Sequence, residues 1–510
     1  MTGRIRQRGH LRRPAPEQLA ELAKLEFLHL TDEEALDYAG VVDRVLELAD
    51  RLDDLDPTPR PLRHLKRDPG RPPTPEEDPY NAVVRLCDVE GADTGPLAGL
   101  RIGVKDNLAV AGVPLTNASR FSAFTPSNDS VVVERLLDAG GRIVAMLNMD
   151  DFAAAGTGET SFRGAPLNPV DPSRSAGGSS SGTGSAVASG LVDLGIGVDQ
   201  LGSGRLPAAM CGVSALKATH GLIPSHGVTH IDHSIDHICP TARTVELVAR
   251  ATSVMAGHDD RDPQWVRGIP DIDFLTHLGD GVQGWRIGVI KEASTAQMCE
   301  PNVLEGQRRA CDALSEAGAE IVEVSVPLWE DGWAIAVTLL CHFHLAMVHT
   351  EGQGIGHHGE MDVARMHHYA LSRRLEADNF APWMKVYLLV GRYLHDEYYS
   401  TYLGKAHNLR RTLRAQTELA LSGCDLLIAP TATHTAPPLL DRKAPDTELI
   451  ARATTMAANT APLDLTGHPA LAVPAGVDGD GLPVSVQLIG RHFDDARTLQ
   501  AGAALEAALG

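Results

Sequence analysis

Apolar positions along the chain follow two periods. Short, nearly unbroken aliphatic runs occur at 100–104, 142–147, 194–198, 285–290, 320–326, 425–429, 470–474 and 484–489. Runs of that length and composition are expected of strands buried on both faces. Between them, 130–139, 244–255, 301–317, 406–421 and 494–508 carry apolar residues every three or four positions, the period of an amphipathic helix. This alternation predicts an α/β fold with a large buried central sheet sandwiched by helices.

The first 79 residues do not share the pattern. Leu19, Leu22, Leu25 and Phe27 recur at roughly helical spacing, and Thr31 followed by Glu34 forms a capping box for a second helix reaching about residue 52. Residues 54–79 are rich in proline and charge and are expected to form a linker. Three segments follow: a disordered basic arm (1–14), a helical extension with its linker (15–79), and the main domain (80–510). The arm lacks the apolar stretch of a signal peptide. No uncharged apolar run reaches the length of a membrane span.

Composition narrows the choice. The chain is 43% hydrophobic but only 4% aromatic, so its core is aliphatic. Forty-five Lys+Arg stand against 66 Asp+Glu, a net charge of −21. That argues against nucleic acid, whose binding calls for a basic face. The seven cysteines, Cys87, Cys211, Cys239, Cys299, Cys311, Cys341 and Cys424, are scattered singly. Unpaired thiols of this kind suggest a reduced, cytoplasmic protein.

Candidate chemistry lies on three loops. Lys105 ends the run 100–104, where open α/β sheets present ligand-binding residues, with Asp106 and Asn107 beside it to orient it. Ser179 lies in the glycine- and serine-rich stretch 177–184, a tight turn opening a helix. The Gly-Lys-Ser/Thr ending of a phosphate loop is absent from it. Ser203 follows the run 194–198 through Asp199-Gln200-Leu201-Gly202, where free N–H groups could form an oxyanion hole. A desolvated, neutral lysine can act as a base, and a serine needs one to become a nucleophile. Taken singly, Lys105 reads first as a solvated strand-end lysine, since lysine is rarely buried, and Ser203 reads equally as an ordinary turn serine.

Together the three loops resemble the amidase signature family, in the segments Gly-Val-Lys-Asp, Gly-Gly-Ser-Ser-Ser-Gly and Asp-Gln-Leu-Gly-Ser-Gly-Arg-Leu-Pro-Ala. Further similarity lies in 148–152, 168–174, 211–222, 425–430, 467–470 and 486–490, so that it spans roughly 80–505. The N-terminal extension, Asp199-Gln200 and Ile235-Asp236-His237 look most like the amidases found with nitrile hydratases. The resemblance implies a large mixed sheet between helices, no cofactor and no metal. It implies Ser203 as nucleophile, Ser179, after a cis peptide bond, as proton relay, and Lys105 as base. The N–H groups of Gln200, Leu201, Gly202 and Ser203 would bind the oxyanion, with Ser180, Asp199 and Arg205 in support. The implied activity is hydrolysis of a small-molecule linear amide through an acyl-serine, by a cytoplasmic enzyme acting as a homodimer, without nucleic acid or membrane. The alternatives are an acyltransferase using the same intermediate, a non-catalytic binding relative and a transamidosome-like glutaminase subunit.

The chain departs from the family pattern at Leu201 (usually glycine), Gly204 (usually isoleucine), Ser181 (usually glycine) and Ala218 (usually proline). A leucine at a position needing positive φ is expected to be strained or to reshape the loop. Histidines cluster at 342, 344, 349, 357, 358, 367, 368 and 395. His342 and His344 cannot share a helical face, so this region is expected to form a helical substrate funnel rather than a metal site. Trp333, Phe343, Trp383, Tyr387 and Tyr393 are its candidate walls.

Overall fold

The structure is a computed structural model, and it describes residues 11–55, 60–264, 266–354, 358–441 and 444–510. The chain divides into two compact units, 1–62 and 63–510.

In the first unit two helices, Pro16–Leu25 and Asp32–Asp50, pack as a hairpin. The capping box forms as expected: Glu34 N donates to Thr31 Oγ1 at 3.2 Å and Thr31 N donates to a Glu34 carboxylate oxygen at 2.9 Å. Arg13 pairs with Asp50 at 2.7 Å and also with Asp43. Residues 11–14, expected to belong to a disordered arm, are therefore tied to the second helix, while residues 1–10 lie outside the described residues.

The second unit is built on one twelve-stranded mixed sheet. Its strands are β1 (Arg67–Arg71), β2 (Val83–Val89), β3 (Arg101–Lys105), β4 (Arg142–Leu147), β5 (Leu194–Asp199), β6 (Ser214–Lys217), β7 (His237–Ala242), β8 (Arg286–Ile290), β9 (Glu320–Val324), β10 (Leu426–Pro430), β11 (Ala470–Val477) and β12 (Pro483–Ile489). Their order is β1-β2-β4-β3-β5-β7-β6-β11-β12-β10-β8-β9.

All eight strands expected from the aliphatic runs are present, and four more were not anticipated. β1 reads Arg-Asp-Pro-Gly-Arg and has no apolar side chain apart from its proline. It is an edge strand, where proline and charge discourage further pairing. The segment expected to be a linker therefore supplies part of the sheet, and the boundary between units falls at Leu62/Arg63. β7 is wholly buried although it contains His237, Pro240 and Thr241.

The sheet positions the site through its central strands. β3 lies parallel to both β4 and β5, with Ile102, Gly103 and Val104 paired to Leu194, Gly195 and Ile196. The carboxyl ends of β3 and β5 therefore emerge side by side, bringing Lys105 close to the turn after Asp199. Between β9 and β10 the chain forms the helices Gly332–His349, Val363–Glu376, Pro382–Tyr398 and Thr401–Ser422. The first of these is long and apolar enough to cross a membrane, yet most of it is buried inside the protein, as expected of a core helix that is apolar all round.

Candidate active site

Lys105 ends β3 fully buried, and its Nζ donates to Ser179 Oγ at 2.8 Å and to Val198 O at 3.4 Å. Burial lowers its pKa to about 7, against the opposing charges of Asp150 and Asp199. A substantial neutral fraction is therefore available at neutral pH, which a base requires. Asp106 and Asn107 do not orient the lysine as expected. The Asp106 carboxylate accepts from Thr116 and Ala118 N–H groups, and the Asn107 amide has no partner.

Ser179 follows a cis peptide bond from Gly178. Its carbonyl accepts from Asp150 N at 3.0 Å. Gly178 admits no side chain, since a Cβ there would lie 2.1 Å from Asp150 Oδ2. Ser180 Oγ donates to Val198 O at 3.0 Å, and Ser180 N donates to Ser203 O at 3.0 Å. The glycine-rich turn is thus fastened to β5 and to the turn bearing Ser203. Ser203 Oγ donates to Gln200 O at 3.1 Å. It is not hydrogen-bonded to Ser179, so relay of a proton between the two serines requires the Ser203 hydroxyl to rotate.

The turn 199–205 is held by buried charge. Asp199 Oδ2 accepts from Arg205 Nε at 2.9 Å, and Arg205 Nη2 reaches Asp464 Oδ2 at 2.6 Å; all three side chains are fully buried. Burial alone would raise the Asp199 pKa, but Arg205's charge and hydrogen bonds hold it at about 2. Gly202 N donates to Asp199 Oδ1 at 2.7 Å. The Gly202 N–H expected in the oxyanion hole is therefore occupied as a turn-forming bond. Among the described residues the N–H groups of Gln200, Leu201 and Ser203 have no acceptor, which leaves three donors for an oxyanion.

Leu201 adopts φ +65°. That region costs a side-chain-bearing residue roughly 1–2 kcal/mol. Thr460 Oγ1 donates to Leu201 O at 2.8 Å and steadies the conformation. The leucine side chain is buried and belongs to the same apolar cluster as Ile231, Ile235 and Tyr387. Deleting a buried leucine side chain costs about 2–5 kcal/mol, more than relief of the strain returns. Leu201→Gly is accordingly expected to unfold more easily by about 1–3 kcal/mol in urea titration. A gain in stability would mean that strain outweighs packing here. Gly204 has a local reason: a Cβ would lie 2.3 Å from Cys239 Sγ.

A cavity of about 40 Å³ opens at Ser203, lined by Ala153–155, Gly156, Gln200, Leu201, Leu206, Ile231, Trp333, Leu340, His344, Tyr387 and Ala457. Of the expected walls, Trp333 and Tyr387 line it. Trp383 packs behind Tyr387 with ring centroids 5.0 Å apart, Phe343 sits in the core, and Tyr393 is exposed. Among the described histidines of the histidine-rich segment, His344 alone is in the lining.

Several contributors were not anticipated. Thr460, Asp464 and Gln487 brace Arg205 from more than 250 positions away, and nothing local to them signals it. Asp236 accepts from Gln200 Nε2 at 2.7 Å and is bonded to His230 Nδ1 at 2.8 Å. In the sequence its position in Ile235-Asp236-His237 is legible only as a family marker. The described histidines of 342–368 form no metal-ligand group, and His357 lies outside the described residues. Elsewhere Glu418, His468 and His492 bring ligand atoms within 4.8 Å of one another, but the Arg414 guanidinium binds Glu418 at 2.9 Å and opposes a cation.

Known proteins resemble this chain over most of its length. It is 35% identical over 445 residues to an enantioselective amidase of Rhodococcus rhodochrous, covering 86% of this chain and 85% of that protein. A glutamyl-tRNA(Gln) amidotransferase subunit of Synechococcus sp. strain RCC307 is 36% identical over 412 residues, or 80% of this chain and 83% of that protein. The crystal structure of the corresponding Thermotoga maritima protein superimposes with a TM-score of 0.70 at 28% identity, covering 85% of this chain and 88% of that one. The family profile for amidases matches residues 84–499. The sheet, the loops on its central edge and this continuous match agree: the chain belongs to the amidase family.

Proposed function

We propose that the protein hydrolyses a linear carboxylic amide through an acyl-enzyme on Ser203. The observation that carries this reading is the buried 2.8 Å contact between Lys105 Nζ and Ser179 Oγ, beside a turn with unoccupied N–H groups.

Neutral Lys105 takes the Ser179 hydroxyl proton as Ser179 takes that of Ser203. Ser203 Oγ then adds to the amide carbon. The carbonyl oxygen becomes an oxyanion facing the N–H groups of Gln200, Leu201 and Ser203. One such donor is worth about 3–4 kcal/mol in acyl transfer. Collapse breaks the C–N bond, and the proton on Lys105 returns through Ser179 to the departing nitrogen. Water, deprotonated by the same relay, attacks the ester and releases the acid and Ser203. Ser180, Asp199 and Arg205 hold the two turns in register.

The proposal includes a cytoplasmic homodimer of the type found with nitrile hydratases. All seven cysteines are free, which supports a reducing compartment. Exposed Leu25 and Leu48 on the N-terminal helices, with exposed Phe27 and Leu52 just past their ends, support association.

Intact-mass detection of a fluorophosphonate adduct tests the nucleophile. One adduct on the wild type, absent from Ser203→Ala, is the expected result. An adduct that persists in Ser203→Ala would put the nucleophile elsewhere.

A further inference from the structure

Proton transfer to Lys105 turns a neutral amine into an ammonium ion at a fully buried position, and a buried charge is costly unless another charge meets it. The acidic groups whose charge acts on that amine are Asp150, Asp199, Cys239 and Asp236. Three of the four are otherwise engaged. Asp199 is paired with Arg205 at 2.9 Å. Asp236 accepts from Gln200 Nε2 and is bonded to His230 Nδ1, and burial pushes its pKa up to about 7. Burial raises the Cys239 pKa well above the ordinary thiol range, so that thiol stays neutral. Asp150 has no ion pair among the described residues, and the charge of Lys105 acts on it in turn.

Hydrogen bonds hold the Asp150 carboxylate as a fixed acceptor. Its Oδ1 accepts from Thr160 N at 3.0 Å and from Thr160 Oγ1 at 2.7 Å, and its Oδ2 accepts from Gly158 N at 2.9 Å. Backbone N–H groups only donate, so bonds of this kind favour the ionised form. Burial raises the Asp150 pKa, opposed by these three bonds and by Lys105. The same residue is fastened to the glycine-rich turn. Its N donates to Ser179 O at 3.0 Å, and its Oδ2 lies so close to Gly178 that a Cβ there would be 2.1 Å away. The acids nearest to it in effect are Asp151, pushed up to about 7 by burial, and Glu159, which faces Arg452 at 3.3 Å.

We propose that Asp150 is a positioning residue for the reaction: its carboxylate is the fixed counter-anion of the ammonium formed on Lys105, and its main chain anchors Ser179 beside that amine. It touches no reacting atom. The inference rests on the reading of Lys105 as the base in the scheme above. Its consequence has a definite sign. An anion favours the charged amine, so removing it lowers the Lys105 pKa and leaves the amine neutral, and able to take a proton, at more acidic pH. A purely structural role would slow the reaction and leave its pH midpoint where it was.

The test follows the rate of fluorophosphonate labelling of the full-length protein against pH, which calls on the base but needs no amide. The wild-type rate is expected to rise through a step near pH 7. Asp150→Asn is expected to move that midpoint down by about one pH unit and to lower the plateau about tenfold, since a less basic amine is a weaker proton acceptor. Asp150→Ser removes the same charge without setting an amide N–H against those of Gly158 and Thr160, and is expected to move the midpoint the same way. Glu159→Gln, at a carboxylate that already faces Arg452, is expected to leave the midpoint in place. Thermal melting of each variant checks folding. A midpoint unmoved or raised in both Asp150 variants, an equal shift in Glu159→Gln, or loss of folding in both Asp150 variants overturns the proposal. A wild type without a step near pH 7 would instead refute the base reading on which it rests.

Discussion

Lys105→Met is expected to lower kcat/KM for amide hydrolysis by about 10³–10⁵-fold, in line with the loss of one member of a catalytic triad. Methionine keeps an unbranched apolar stem of similar length in a fully buried site, so the change isolates the amine. The wild-type pH profile supplies the second half of the prediction. The folded pKa of Lys105 is lowered to about 7 by burial. The amine is charged and inactive as a base below that value and neutral above it. Activity is therefore expected to rise with pH through a single step centred near 7 and to level off above it. The residual activity of Lys105→Met should lack that step. A variant that retained a tenth of wild-type activity, or a profile flat from pH 5 to 9, would remove Lys105 from the mechanism.

Arg205→Met is expected to be the most destabilising single change in the site, by about 3–5 kcal/mol in urea unfolding. Arg205 separates Asp199 from Asp464 at full burial. Burial and the neighbouring Asp199 push the Asp464 pKa well above the ordinary carboxylate range, whereas Asp199 stays ionised at about 2. Removing the guanidinium strands the Asp199 charge in a dry interior. It also removes the braces to Gln487, at 2.8 Å, and to Thr460 O, at 3.1 Å. Adding Asp199→Asn to Arg205→Met is expected to recover part of the lost stability by deleting the stranded charge, but none of the activity. A loss below 1 kcal/mol for the single variant would mean that the pair contributes little to holding the turn.

Residue pattern revealed most of the sheet and the centre of the site, for identifiable reasons. β3, β5 and β12 are aliphatic because both their faces are covered, so periodicity alone finds them. β1 lies at an edge and needs only backbone pairing, so its five residues carry no periodic apolar signal. Lys105, Ser179 and Ser203 each sit within a glycine-bearing or strand-end motif and could be read locally. The orienting groups could not be. Gly202 N–H turning to Asp199 depends on turn geometry, and the clamp on Arg205 depends on tertiary contacts. The cavity wall supplied by His344 and Tyr387 depends on how two helices pack, which histidine spacing does not encode.

The reach of the Arg205 clamp bears on how the protein is made. A ribosome releases the segments carrying Lys105, Ser179 and Ser203 long before it reaches Thr460, Asp464 and Gln487. A growing chain thus holds every candidate reactive group while the turn presenting Ser203 has its local bonds but lacks these distant braces. Domains acquire structure as synthesis proceeds, but here residues 460–487 complete the bracing of a turn formed by residues 199–205. A chain that stops before Asp464 therefore leaves the turn bearing Ser203 without its second charged brace.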